Sequence, residues 1–147
     1  MKRRVTFLAT LFAAFQAQAH DISFENPDGT SVHFDVELAK TSVERQKGLM
    51  FRNDLDTYEG MMFLYSKPQQ VAMWMKNTPL SLDMIFVDGS DNVQAIEKST
   101  QPFSTRIIGP HVGTQSVVEL LAGSCEAHGI SVGSKLRGRP GPKSYKS

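Results

Sequence analysis

Cysteine occurs once, at Cys125, so an internal disulfide is excluded and the fold has to be held by packing. Tryptophan also occurs once, at Trp74. Neither sign of charge is in excess. Sixteen basic residues stand against fifteen acidic ones, and three of the basic ones, Lys2, Arg3 and Arg4, lie at the very N-terminus. Such a balance carries no electrostatic footprint for nucleic acid. Beyond Ala19 no apolar run approaches the length that crosses a bilayer, and no internal repeat is present.

What is there begins with Lys2-Arg3-Arg4, the apolar stretch Val5 to Phe15 and the small-residue pattern Ala17-Gln18-Ala19. This is the form of a secretory signal peptide over residues 1–19, cleaved after Ala19. The expectation is a periplasmic or secreted protein with one domain over residues 20–136, no transmembrane segment in the mature chain, and a disordered basic tail over 137–147. Lys135, Arg137, Arg139, Lys143 and Lys146 run without an acid, which offers contact with anionic lipid or, more simply, a solvated end.

Thr30 to Leu38 alternates cleanly, with Val32, Phe34, Val36 and Leu38 on one face and His33, Asp35 and Glu37 on the other. That is a half-buried strand. Asn26-Pro27-Asp28-Gly29 before it reads as a turn, and Ile22 with Phe24 supplies the partner strand of a hairpin. Thr41 with Glu44 makes a capping box, and Gly48 stands at the stop of a helix of about two turns. Met61 to Tyr65, Val71 to Met75, Leu82 to Val87, Val93 to Ile96, Ser116 to Leu121 and Ile130 to Leu136 read as further strands, with Asp88-Gly89 as a hairpin turn. Ser124 caps a second helix of one turn that ends at Gly129, and Glu97 to Thr114 lacks periodicity and reads as a long loop. The fold predicted is a small α+β, β-rich domain, its mostly antiparallel sheet curled like a barrel, with two short helices.

The chemistry concentrates in Val71 to Val87, where two apolar runs flank the polar knot Lys76-Asn77-Thr78-Pro79. Asp83 interrupts the second run. It shares a strand face with Ile85 and Val87, while Leu82, Met84 and Phe86 take the other, so neither face offers it water. A buried carboxylate costs roughly several kcal/mol unless it is paired or hydrogen-bonded. Lys76, Arg52, and the amides and side chains of Asn77 and Thr78 are the candidate partners. Asp83 then either takes part in a site or simply ties down the Asn77-Thr78-Pro79 loop. Glu119 repeats the pattern beside Val117 and Leu121, and two such acids facing each other across the sheet would suit acid–base chemistry, or Glu119 is a half-exposed edge position.

Other readings are open from the residues. Met73 and Met75 sit at strand spacing beside Trp74, a soft thioether pair suited to Cu(I) outside the cytoplasm, or ordinary core filler. His20 becomes the mature N-terminus, where an amine and imidazole chelate Cu(II) if His33, His111 or His128 comes close. Cys125 near a helix N-terminus is either a nucleophile or a buried thiol.

The motifs Arg45-x-x-Gly48-Leu49-Met50-x-Arg52, Gly60-Met61-Met62-Phe63, Trp74-Met75-Lys76-Asn77-Thr78-x-x-x-Leu82-Asp83-x-x-Phe86, Val118-Glu119-Leu120-x-Ala122-Gly123 and Gly129-Ile130-x-Val132-Gly133 together resemble the Domain of Unknown Function 192 family. The resemblance runs from about Phe34 to Leu136 and implies a single β-rich domain without an assigned activity or cofactor. It places Arg52, Trp74, Lys76, Asn77, Thr78, Asp83 and Glu119 on the family's polar and aromatic motif positions. Two departures stand out: Val132-Gly133-Ser134 replaces the family's usual Val-Gly-Asp, and the loop before Ser116 lacks the cysteine often found near its proline. The leading expectation is an exported domain binding a small polar or anionic ligand. Arg52, Lys76, Asn77 and Thr78 would be donors beside Trp74, with Asp83 and Glu119 holding them in place.

Overall fold

The computed structural model describes residues 18–145, and residues 1–17, which carry most of the signal-peptide pattern, lie outside them. Strand β1 (His20–Glu25) and β2 (Ser31–Ala39) form the expected hairpin, pairing Ile22 with Phe34 and Phe24 with Val32. Its turn is held by Asp28, whose Oδ1 accepts from the Thr30 amide at 2.9 Å and the Thr30 hydroxyl at 2.6 Å. Helix α1 (Ser42–Lys47) starts at Thr41 with both bonds of the capping box and stops at Gly48, whose φ is 48°. It lies on the crossover from β2 to β3 (Glu59–Met73), the only parallel pairing among the described residues.

The rest of the sheet is antiparallel: β4 (Leu82–Asp88), β5 (Val93–Glu97), β6 (Ile108–Leu121) and β7 (Lys135–Arg137) complete seven strands in the order β5-β4-β6-β3-β2-β1-β7. A second short helix, α2 (Ser124–Ala127), follows β6. The sheet curls until its ends meet. Gly133 donates to the Val93 carbonyl, Val93 to that of Ser134 and Leu136 to that of Asp91, each at 2.9 Å, so neither edge is left as an open template. The α+β, barrel-like architecture is therefore the one the sequence predicts.

Three segments differ from expectation. Met61 to Tyr65 and Val71 to Met75 are not separate strands but parts of one, β3, which ends at Met73. Pro68 is tolerated because the register against β6 shifts between Leu64 and Gln69, where a missing amide breaks no regular ladder. The stretch from Glu97 to Thr114 is loop only as far as Ile107; its remainder pairs with the far half of β3 as a two-stranded arm. Gln69, Gln70, Pro110 and Val112 on that arm are exposed, so no apolar alternation marks it. Where the sequence predicts a disordered tail from Arg137, residues 137–145 lie along the domain. Pro142–Ser144 form a 3-10 turn, and the buried Tyr145 donates its hydroxyl to the Tyr65 carbonyl at 3.2 Å.

Two apolar cores result. Inside the curl lie residues from all seven strands, among them Ile22, Phe34, Met62, Ile85, Val93, Val118 and Leu136. On the outer face, Met61, Phe63, Met84, Phe86 and Val117 are covered by Leu49, Leu55 and Met75 from the connecting segments. Burying each large side chain contributes about 1.5–3 kcal/mol, which replaces the missing disulfide. Gly60 shows how tightly the sheet is packed: a Cβ there would lie 2.4 Å from the Glu119 carbonyl oxygen and 2.7 Å from Leu120 Cδ2. Gly60→Ala is therefore expected to destabilise the domain by about 1–3 kcal/mol in urea unfolding, with the backbone of β6 displaced.

Candidate binding cleft

Both buried acids are where the sequence predicts, but the register separates them. Asp83 pairs with Leu120 and Met84 with Glu119. Residues opposite each other in a ladder project to the same side, so Asp83 belongs to the inner face and Glu119 to the outer one. Asp83 and Glu119 therefore do not face each other as a pair for acid–base work.

Asp83 is fully buried and accepts from three backbone amides. Oδ1 accepts from Ser99 at 2.9 Å, and Oδ2 accepts from Gly123 at 3.1 Å and Cys125 at 2.9 Å. The expected partners Arg52, Lys76, Asn77 and Thr78 are absent from this set, because Asp83 points away from them through the sheet. Ser124 is not the helix cap either: the N-cap is Gly123 and gives no side-chain bond, so the carboxylate of Asp83 serves the first turn of α2 in its place. Cys125 is a free, buried thiol, and burial, and next the Asp83 charge, push it up to about 12, which disfavours the thiolate. Asp83→Asn leaves one acceptor for three amides and turns an NH2 toward them; the expected loss is about 2–4 kcal/mol by denaturant unfolding.

Glu119 is only 4 % exposed, set between Met61 on β3 and Met84 on β4. Among the described residues its carboxyl has no hydrogen-bond or ion-pair partner, and burial alone raises its pKa to about 8. It lines an open cavity of about 560 Å³ between α1 and the segment 72–78. Phe63 and Tyr65 from β3 line the cavity beside it, and Arg45, Met50, Trp74 and Lys76 line it from the two flanking segments. Gly48 lets α1 close on this surface, since a Cβ at that position would lie 2.9 Å from Phe63 Cζ.

Cations sit on the aromatic rings. The Arg45 guanidinium lies 5.0 Å from the Tyr65 ring centroid, and its Nη1 donates to the carbonyls of Lys40 at 2.7 Å and Leu64 at 2.9 Å. Lys76 Nζ lies 5.1 Å from the ring centroid of Trp74, which is 43 % exposed. Asn77 takes the left-handed conformation at φ 54°, which Asn tolerates, and accepts from the Phe51 amide at 2.8 Å. Thr78 spends its hydroxyl on the Lys76 carbonyl at 3.1 Å, so it shapes the loop and offers no free donor.

Trp74, Lys76, Asn77, Thr78 and Glu119 thus line one cavity, while Arg52 lines the adjoining groove, its Nη1 donating to Glu37 Oε1 at 2.7 Å. Arg45, Lys47 and Tyr65 are among the cavity residues that sequence reasoning missed. Arg45 stands in a family motif, but its contact with Tyr65 joins two elements and leaves no local signal. The loop from Lys98 to Ile107 does not border this cavity; its Phe103 lines a smaller hollow with Phe51 and Pro79. Ser134, where the family's usual Asp is replaced, is a buried turn residue that accepts from the Ser131 amide at 3.0 Å and donates to Asn26 Oδ1 at 2.9 Å, outside the cleft.

The copper readings lose their geometry. Met75 belongs to the outer-face core beside Leu82 and Met84, with half-buried Met73 packed against it, as core filler. His20 lies on β1, separated from β3 by β2, and its Nε2 donates to the Gly138 carbonyl at 2.6 Å. His33 is exposed beside Asp21, and His128 packs on Phe34 and Tyr58. Among the described residues no helix is long and apolar enough to cross a membrane.

A half-barrel with a cation-rimmed cleft on its outer face, and a lone buried acid within, defines a small single-domain protein with one concave candidate site. The chain belongs to the DUF192 family, described as an uncharacterized ACR, whose model matches residues 24–138. It is similar to a proposed transcription regulator of Sinorhizobium meliloti 1021, with 33 % identity, a TM-score of 0.80 and coverage of 82 % of this chain and 93 % of that one. A protein of unknown function from Novosphingobium aromaticivorans DSM 12444 is similar at 33 % identity and a TM-score of 0.80, covering 87 % and 91 % of the two chains. No curated protein matches.

Glu119 has a stability consequence. Its folded pKa of about 8 lies above the ordinary 4.5, so the fold holds a proton that the unfolded chain releases between those values. Its contribution is full below about pH 4.5 and is lost as pH rises to about 8. Glu119→Gln is expected to melt higher than the wild type at pH 8 and above, with the difference shrinking toward pH 5, in a series of thermal melts.

Proposed function

We propose that the chain is an exported, periplasmic or secreted domain that binds a small polar or anionic ligand in the cleft between α1 and Lys76. The observation that carries this reading is the juxtaposition, around one cavity of about 560 Å³, of an exposed indole, three cationic side chains and the buried Glu119, which has no partner among the described residues. Concave sites with apolar walls and a few convergent polar groups are where small molecules bind. Lys47 and Lys76 keep their ammonium groups free of ion pairs among the described residues, so both can meet an anion. The basic, apolar and small-residue order of residues 2–19 supports export.

Native mass spectrometry of gently purified exported protein tests both parts. The expected result is a polypeptide beginning at His20 with added mass from a small molecule, and loss of that mass in Lys76→Glu. A chain that keeps residues 1–19 and stays in the cell overturns the export. Added mass that survives Lys76→Glu and Trp74→Ala alike overturns this cleft as the site.

A further inference from the structure

The lining of the cleft is unequal in charge, and this narrows the ligand. Arg45, Lys47 and Lys76 line it with positive charge, and Glu119 is the one acid among the lining residues. Arg45 lies over the Tyr65 ring and Lys76 over that of Trp74, so a cationic ligand approaching either ring would meet a positive charge already there. Glu119 is more than nine-tenths buried, has no partner among the described residues and lines the cavity, so a group there goes unused until a ligand arrives. Resting on the reading of this cleft as a ligand site, we infer that its ligand is a small organic carboxylate whose apolar body lies against Phe63, Tyr65 and Trp74 and whose anionic oxygen accepts a hydrogen bond from the Glu119 carboxylic acid.

The chemistry is that of a neutral acid used as a donor. A carboxylic acid and a carboxylate form a charge-assisted bond, stronger than a neutral one, while two carboxylates in the same site repel. The groups facing Glu119 allow this state. β4 presents Met84 and β3 presents Met61, and Tyr65, Arg45, Lys47 and Lys76 are the titratable or charged neighbours around the cavity. Burial holds the Tyr65 hydroxyl above its ordinary value, so it stays protonated with Glu119 through neutral pH. Glu119 is the acid whose titration alters the cleft.

Three probes of one shape, benzoate, benzyl alcohol and benzylamine, distinguish the possibilities by titration against the fluorescence of Trp74, the single tryptophan of the chain. Benzoate is expected to bind tightest at about pH 6 and to weaken about tenfold by about pH 9 as Glu119 ionises. In Glu119→Gln, which keeps a donor without a titration, benzoate is expected to bind within about threefold of wild type at about pH 6 and to lose that pH dependence. Benzylamine binding that exceeds benzoate and strengthens as pH rises overturns the inference while the cleft remains a ligand site. So does a benzoate profile that is flat in the wild type or unchanged in Glu119→Gln. Failure of all three probes to perturb Trp74 at either pH overturns this inference and counts against the cleft itself as a binding site. The wild-type profiles decide the matter even if the variant folds poorly.

Discussion

The arrangement depends on one buried carboxylate. Asp83 draws the backbone amides of Ser99, Gly123 and Cys125 to itself, so a residue of β4 ties the loop after β5 to the first turn of α2. An ionised group in an apolar interior is tolerable only because it receives several amide bonds at once, each worth about 1.5–3 kcal/mol to a charged acceptor. Its influence crosses the sheet. The loop that begins at Ser99 is bonded onward: Thr100 donates to the Leu82 carbonyl, Phe103 to that of Thr78, and Met75 to that of Ser104. Those bonds pin the Met75–Thr78 knot that walls the cleft. An acid on the inner face thus positions a site on the outer one.

The knot itself is held in sparsely populated conformations. Asn77, Phe51, Ser99 and Phe103 all have positive φ, and all four are bonded into this network, Phe51 to Asn77, Phe103 to Thr78 and Ser99 to Asp83. Such residues persist only where the surrounding bonds overdetermine them. The cleft walls are consequently preorganised before any ligand arrives, and a ligand would not have to pay the entropy of ordering the loop. Arg45 and Lys76 are likewise stacked on Tyr65 and Trp74 in advance.

Much of the fold was legible because it rests on local rules. The alternation of Val32 to Leu38, the Thr41 and Glu44 capping box and the Asp88-Gly89 turn each specify an element through neighbours a few residues apart. In the arm formed by the far half of β3 and the near half of β6, only Val71 to Met75 was legible; the link over residues 66–70 and the start of β6 are largely exposed, and no pattern of side chains is required for backbone pairing. Tyr145 escaped for a related reason: one aromatic in a basic stretch makes no periodicity, yet it finds the Tyr65 carbonyl 80 residues away.

By itself, the sequence determined that Asp83 is buried, because an acid inside an apolar run has no wet side, and that the polar cluster from Trp74 to Thr78 belongs together, because its members are contiguous; it left Glu119 as either a second buried acid or a half-exposed edge position, and the structure buries it. Only the tertiary structure decided which faces the two acids occupy. Alternation sets the faces within one strand, but the relation between strands is set by register, and register comes from the pairing of β4 with β6 over a long loop. Partner choice is long-range for the same reason. Asp83 reaches amides forty and forty-two residues onward, and Arg52 turns to Glu37 while Arg45 takes the place expected for it at the cleft.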